Sequence, residues 1–335
     1  MQSDILILGI ESSCDDTSAS VTKNNQVLSN LIANQQIHKK FGGVVPELAS
    51  RDHQINIIPV VDNALKTAKV SINDINYIAF TEGPGLIGSL LVGSSFARFL
   101  SLSLDIPCIG INHMKAHILS NFINSEPKFP FISLTVSGGH TQLVLVKSFS
   151  NMKIIGQTLD DAVGETFDKS AKILGLEYPG GPIIDKLSIE GDPNSFEFTK
   201  PRVDGLNFSF SGLKSNIVQR ISNQIKSDKN FIKKNLKDLC ASIQNTIITI
   251  LIDKIEKALK IYNIDKIAIS GGVSANSELR KRISTKCKIN NWNLYLPELQ
   301  YCTDNAAMIA ISAYYKIINN DITEASQSVY SRNNW

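Results

Sequence analysis

Apolar runs and helical periodicities alternate along this chain, and they do so twice in a similar order. A continuous apolar run over 5–10 reads as a buried strand, and two shorter strand-like segments, 19–22 and 27–33, follow as antiparallel neighbours. Leu48, Ile55, Ile58, Val61 and Leu65 recur near the 3.6-residue period and predict a helix over about 46–68. A strand at 77–80, a helix over about 86–103, a strand at 106–111 and a helix from His113 complete the first round. After the proline-bounded segment 127–130 the pattern restarts. Strands are predicted at 131–136, 141–146 and 152–157, with helices over about 162–174, 213–225 and 236–261. A strand at 266–270, a helix from about 275 and a final helix over about 304–318 close the second round.

The restart predicts an internal structural repeat although the halves align poorly as sequence. The expected fold class is α/β: two lobes, each opening with three strands followed by helices, around a cleft. The expected domains are 1–128 and 129–335, with helix 304–318 packing back on the first lobe.

Composition narrows this picture. With 335 residues and 43% hydrophobic content, two domains are expected rather than one. A net charge of +3, from 34 basic and 31 acidic residues, neither demands nor excludes a nucleic-acid partner. The clusters Arg280-Lys281-Arg282 with Lys286 and Lys288, and Lys233-Lys234 with Lys237, read first as solvated helix faces. The five cysteines (Cys14, Cys108, Cys240, Cys287 and Cys302) are scattered, with no Cys-x-x-Cys, which argues against a disulfide framework or thiolate zinc site. The run 5–10 is too short for a secretory segment or a membrane span. A cytoplasmic protein with no membrane partner is expected.

The candidate chemistry starts at His113 and His117, four residues apart directly after a strand. On a helix both imidazoles share one face and can hold one metal ion. The peptidase version of this spacing needs a glutamate after the first histidine, and Met114 stands there. Asp304, at the expected start of the last helix, offers a third ligand and leaves coordination positions open. The turn Ser137-Gly138-Gly139-His140 sits between two strands, where two glycines can form a phosphate cradle or a plain hairpin. A second turn, Ser270-Gly271-Gly272, follows a strand, and Asn276 beyond it offers a donor and an acceptor to a nucleotide. Asp161 reads as a helix N-cap, and Asp168, two turns on, as a residue facing a cleft or solvent. A third turn, Gly180-Gly181, precedes Asp185, and a helix start there would favour an anion or a hydroxyl-rich ligand. Gly83-Pro84-Gly85-Leu86-Ile87-Gly88 matches the dinucleotide fingerprint in letters only, because no acid ends the next strand.

Several of these segments coincide with one family. Gly9-Ile10-Glu11-Ser12-Ser13-Cys14-Asp15-Asp16-Thr17, Gly42-Gly43-Val44-Val45-Pro46-Glu47-Leu48-Ala49-Ser50-Arg51, Gly83-Pro84-Gly85-Leu86 and Asn112-His113-Met114-Lys115-Ala116-His117 occur in order. Val136-Ser137-Gly138-Gly139-His140-Thr141, Phe208-Ser209-Phe210-Ser211-Gly212-Leu213-Lys214, Ser270-Gly271-Gly272-Val273-Ser274-Ala275-Asn276 and Cys302-Thr303-Asp304-Asn305-Ala306 follow. Over nearly its full length the chain resembles the bacterial TsaD family, relatives of the KEOPS catalytic subunit.

The resemblance implies an actin-like ATPase and sugar-kinase fold, two ribonuclease-H-like lobes around a nucleotide cleft. It implies transfer of threonylcarbamoyl from threonylcarbamoyl-AMP to adenosine 37 of tRNAs reading codons that begin with A. It implies one divalent metal on His113, His117 and Asp304, usually iron, with zinc or magnesium as alternatives. Adenylate contacts would fall on Thr135, Val136, Ser137, Gly138, Gly139, Asp168, Gly181, Asp185 and Asn276. Implied partners are tRNA, the paralogue TsaB as a heterodimer and the ATPase TsaE. The family commonly has Glu and Gly where this chain has Lys115 and Ala116. No residue announces itself as the catalytic base; Glu11 and Asp16, read from the acidic hairpin and not from the resemblance, are candidates. The rival readings are a metallopeptidase and an ATPase or kinase of the same fold.

Overall fold

Each round of the sequence pattern folds into its own five-stranded sheet in the computed structural model, which describes residues 4–34, 38, 41–322 and 328–332. In the first, β1 (Leu6–Glu11), β2 (Thr17–Lys23) and β3 (Gln26–Ala33) form an antiparallel meander. β4 (Tyr77–Gly83) and β5 (Cys108–Asn112) extend it on the other side of β1 in parallel. In the second, β6 (Phe131–Val136), β7 (Thr141–Val146) and β8 (Met152–Gln157) make the meander, and β9 (Lys266–Ser270) and β10 (Asn293–Tyr295) the parallel extension. The strand orders, 3-2-1-4-5 and 8-7-6-9-10, are the same walk taken twice. The expected repeat is therefore real in topology. β10 escaped prediction because three edge residues carry too little periodicity to register.

The chain does not divide by a single cut at 128. One compact unit comprises Met1–Pro127, Ser148–Asn151 and Pro297–Trp335, and the other Lys128–Lys147 and Met152–Leu296. The second unit ends at Leu296, not at 335, and the tail, including the helix expected to pack back, belongs to the first unit. The physical reason lies in β1. Strand side chains alternate between faces, and both faces here are apolar, as a parallel sheet covered on both sides requires. Leu8, Ile10, Ile78 and Phe80 meet Ile57, Val60, Val61 and Ala64 of α1 (Pro46–Ala68), while α2 (Ile87–Leu104) contributes Ala97. Ile7, Ala79, Ile109 and Ile111 need a second cover. Met308, Ile309, Ala310 and Ala313 of the final helix supply it.

α2 is long and apolar enough to cross a membrane by length and composition, but Leu90, Gly93, Ser94 and Ala97 on one of its faces are buried in the unit. In this unit α3 (His113–Leu119) follows β5 directly.

In the second unit the helices are α4 (Val163–Ile173), α5 (Gly180–Ser188), α6 (Ser211–Ser227), α7 (Phe231–Tyr262) and α8 (Ser277–Asn290). The backbone of α7 leaves helical geometry at Asn235, one residue before the expected start at 236. α8 starts at Ser277, after a 3-10 turn at Gly272–Ala275. Asp161 is not the cap of α4. The cap position is Ala162 without a side-chain bond, and Asp161 instead meets Lys169 and Lys214. The final helix, α9 (Ala306–Ile318), begins two residues after 304, with the Asn305 side chain accepting from Met308 N.

Gly9 is where α9 comes closest to the sheet: a Cβ there would lie 2.5 Å from Ala306 O and 3.0 Å from Ala310 Cβ. Gly9→Ala is expected to destabilise by roughly 1–3 kcal/mol through overpacking. Urea unfolding checks this, and an unshifted midpoint would mean that α9 yields without cost.

Candidate metal centre and glycine cradle

In the first unit the ends of β1 and β5 carry Glu11 and His113, with β4 between them. Asn112 caps α3 by accepting from Lys115 N at 3.0 Å, so the helix starts at the histidine itself. The four-residue spacing then does what was expected: the two rings lie edge to face with centroids 4.6 Å apart. Asp304 Oδ1 is 3.1 Å from His117 Nε2 and 3.5 Å from His113 Nε2. One donor atom from each of the three side chains falls within 4.8 Å of the others. Two imidazole nitrogens and one carboxylate oxygen suit a divalent transition metal and leave positions for a substrate oxygen.

Glu11 completes the centre from behind. It has no exposed surface. His113 Nδ1–H donates to its Oε2 at 3.0 Å, Thr81 Oγ1 donates to the same oxygen at 2.7 Å, and Ser13 N donates to Oε1. In the neutral ring this keeps the proton on Nδ1, so that Nε2 is the nitrogen facing His117 and Asp304. Burial works against an imidazolium there, but the Glu11 and Asp304 carboxylates outweigh it and push His113 up to about 9. Burial likewise opposes charge on Glu11, and His113 overcomes it, so this carboxyl lies below its usual range. His117 Nδ1 is buried with no hydrogen-bond partner, so nothing on that side competes for the ring. The residues present fit a bound cation.

Asp16, the other candidate base, accepts from Asn34 Nδ2 at 2.8 Å. Burial, then the charges of Asp304 and Asp15, push it up to about 7. Lys115 lies two residues from each histidine and lines a cavity of about 330 Å³ with Lys316, Glu82 and Asp321. Burial and the neighbouring Lys316 cation lower its pKa, against the pull of Asp321 and Glu82. Met114 is fully buried, so the position of the peptidase base belongs to the core.

In the second unit β6 and β9 run parallel with Thr135 opposite Ser270, so the turns that follow them emerge side by side. Thr135 Oγ1 lies 3.1 Å from Ser270 Oγ. Gly271 has φ +85°, and a Cβ on it would lie 2.4 Å from Val136 O, so only glycine fits. The first turn is held from one side. Gly164 N and Glu165 N of α4 donate to Ser137 O and Gly138 O, each at 3.2 Å. A trans peptide points its N–H opposite its C=O, so the N–H groups of Gly138 and Gly139 point away from α4. Added Cβ atoms on Gly138 and Gly139 meet nothing within 4 Å. Two adjacent amides aimed away from α4 can receive an anion, in a turn that Ser137 N, donating to His140 O at 2.9 Å, also closes as a hairpin. His140 N donates to Ser137 Oγ at 3.2 Å and closes the turn.

The other expected contacts are engaged within the protein. Asp168 Oδ1 accepts from Gly180 N at 2.8 Å, so α5 already has an anion at its start, just before Gly181. Asp185 accepts from Ser277 N at 3.0 Å and Ser277 Oγ at 2.8 Å, tying α5 to α8. Asn276 caps α8 through Leu279 N and donates to Gln244 Oε1 at 2.7 Å. Of the basic clusters, Arg280 and Arg282 bond Ser274 O and the Asn245 and Thr249 side chains, so they are less solvated than expected. Sequence reading missed Gly164, whose Cβ would lie 2.6 Å from Ser137 O; a glycine in a helix's first turn was the available signal. It also missed Ser13, Thr81 and Gln244, which had no spacing to betray them.

Removing such an outer partner of a metal-bound histidine typically costs 10–100-fold in metal affinity. Glu11→Ala is expected to weaken Fe(II) or Zn(II) binding by about that factor, and His117→Ala or Asp304→Ala by more. Calorimetric titration of the full chain measures this; unaltered affinity in Glu11→Ala would show that His113 needs no carboxylate behind it.

A family model described as TsaD, tRNA N6-adenosine threonylcarbamoyltransferase, matches residues 26–311. A protein of that name from Christiangramia forsetii is 56% identical over 332 residues, covering 98% of each chain. Another from Porphyromonas gingivalis is 52% identical over 338 residues, covering 99% of each. Among solved structures, full-length HypF in its phosphate- and nucleotide-bound form superposes with TM-score 0.59 at 16% identity, over 94% of this chain and 56% of that one. Component A of the Acidaminococcus fermentans (R)-2-hydroxyglutaryl-CoA dehydratase gives 0.54 at 14% identity, over 94% and 99%. At such identities the likeness concerns the fold alone, an α/β fold of the actin-like ATPase class. With the family model and its curated relatives in agreement along nearly the whole length, the chain belongs to the TsaD family of tRNA N6-adenosine threonylcarbamoyltransferases.

Proposed function

We propose that this chain transfers the threonylcarbamoyl group of threonylcarbamoyl-AMP to the N6 amine of adenosine 37 in tRNAs reading codons that begin with A. Its near-full-length kinship with proteins named for that reaction carries the reading. In the reaction a bond forms between N6 and the carbamoyl carbon, the bond from that carbon to the phosphate oxygen breaks, and N6 loses a proton. The donor is already activated by its AMP leaving group, so positioning and charge stabilisation dominate. The Gly138 and Gly139 amides are suited to the phosphate, where they hold the charge of departing AMP. His113, His117 and Asp304 would hold the cation, which supplies a Lewis acid to substrate oxygens. Glu11 keeps His113 in the ligating tautomer.

The TsaB paralogue, the ATPase TsaE and tRNA are the partners we infer. α1 and α2 support a partner, because Ile55 and Ile58 on one and Leu91, Phe99 and Leu102 on the other are exposed. Five unpaired cysteines fit the cytoplasm, the compartment we assign.

Mass spectrometry of nucleosides from tRNA incubated with the protein, these partners, threonine, bicarbonate and ATP should show threonylcarbamoyladenosine; its absence would refute the activity. His113→Ala should lower single-turnover transfer by about a hundredfold if the cation contributes several kcal/mol. Phe99→Glu with Leu102→Glu should abolish co-elution with TsaB, and retained co-elution would move the interface elsewhere.

A further inference from the structure

The motif Phe208-Ser209-Phe210-Ser211-Gly212-Leu213-Lys214 has no part in the chemistry described so far. In the second unit it starts α6, and two adjacent carboxylates grip it. Asp160 Oδ1 accepts from Phe210 N at 2.7 Å and Ser211 N at 3.3 Å; its Oδ2 accepts from Ser209 Oγ, and from Ser211 Oγ at 2.8 Å. Asp161 meets Lys214 of α6 at 2.7 Å with one oxygen and Lys169 of α4 at 3.0 Å with the other. Burial opposes charge on both carboxyls, and these donors overcome it, so both lie below the usual carboxylate range.

The position of this double grip matters. Ala162, the next residue, is the N-cap of α4, and Gly164 and Glu165 donate the two bonds that orient the Ser137–Gly139 turn. α4 has no side-chain cap of its own. Its start is instead fixed from outside: Thr158 Oγ1 donates to Asp161 O at 2.7 Å, Val163 N donates to Thr141 Oγ1 at 2.8 Å, and α6 pulls on both aspartates. Ser137 Oγ and the Ser137 N–His140 O bond close the turn on itself, and the two bonds from α4 fix how its Ser137 and Gly138 carbonyls, and so the amides opposite them, are aimed.

We propose that Asp160 and Asp161 are positioning residues for the anion cradle: by tying α6 to the first turn of α4 they set the direction of the Gly138 and Gly139 amides. This rests on reading that turn as the adenylate site. The aspartates touch no substrate and act only through the helix start.

The test is AMP titration of the full-length protein by calorimetry, with donor KM and kcat in the reconstituted reaction. Asp161→Asn, and Lys214→Gln as a milder change at a partly exposed side chain, should each raise the AMP Kd and donor KM about tenfold. In both, kcat at saturation should stay within about threefold, and Asp161→Glu should restore much of the affinity. Unchanged AMP affinity in both variants, or a fall in kcat at unchanged KM, would overturn the positioning role while leaving the adenylate site standing. Wild-type protein that binds no AMP would overturn the site reading and this inference together.

Discussion

The metal centre depends on a charge held where water cannot reach it. Glu11 is buried at the end of β1, and His113 Nδ1–H, Thr81 Oγ1 and Ser13 N together take up its two oxygens. A buried carboxylate is costly unless it is fully hydrogen-bonded, and stripping one partner from such a pair costs about 3–5 kcal/mol. The arrangement is therefore cooperative. The sheet fixes Glu11, Glu11 fixes the ring of His113, and the ring presents one nitrogen toward His117 and Asp304. Without the carboxylate the imidazole could rotate or change tautomer, and α3 would offer two histidines without a common aim.

Both units follow one rule of open α/β sheets: chemistry collects where parallel strands end. β1 and β5 deliver Glu11 and His113, whereas β6 and β9 deliver the two glycine turns. The same topology serves opposite needs. The first unit concentrates side chains that fit a cation. The second strips side chains away and leaves bare amides for an anion. The duplication is thus one of scaffold and not of site, which is why the strand orders coincide while the sequences do not.

Much of this was legible in the chain because it rests on local periodicity. The apolar runs at 5–10 and 131–136 and the four-residue step from His113 to His117 are short-range signals, and the elements they predict exist. Asp304 was reachable as the missing third ligand by its chemistry alone. What escaped was set by tertiary contact. Asp161 has the look of a cap, yet the helix starts one residue later and its carboxylate goes to lysines on two helices. The ties that Asp168, Asp185 and Asn276 make within the unit, which hold α5 and α8 in place beside any part in binding, were likewise beyond local pattern. The nominal boundary at 335 gives way to Leu296, while the last helix, expected to pack back, lies in the first unit.

That return of α9 to β1 orders events during synthesis. The sheet of the first unit cannot cover one of its faces, and the coordinating trio cannot assemble, until the ribosome has released Asp304 and the helix behind it. The second unit is nearly contiguous and can condense while the first still waits. A prematurely terminated chain that ends before residue 304 would then carry both imidazoles but no Asp304 carboxylate beside them, and one face of its first sheet would stay bare.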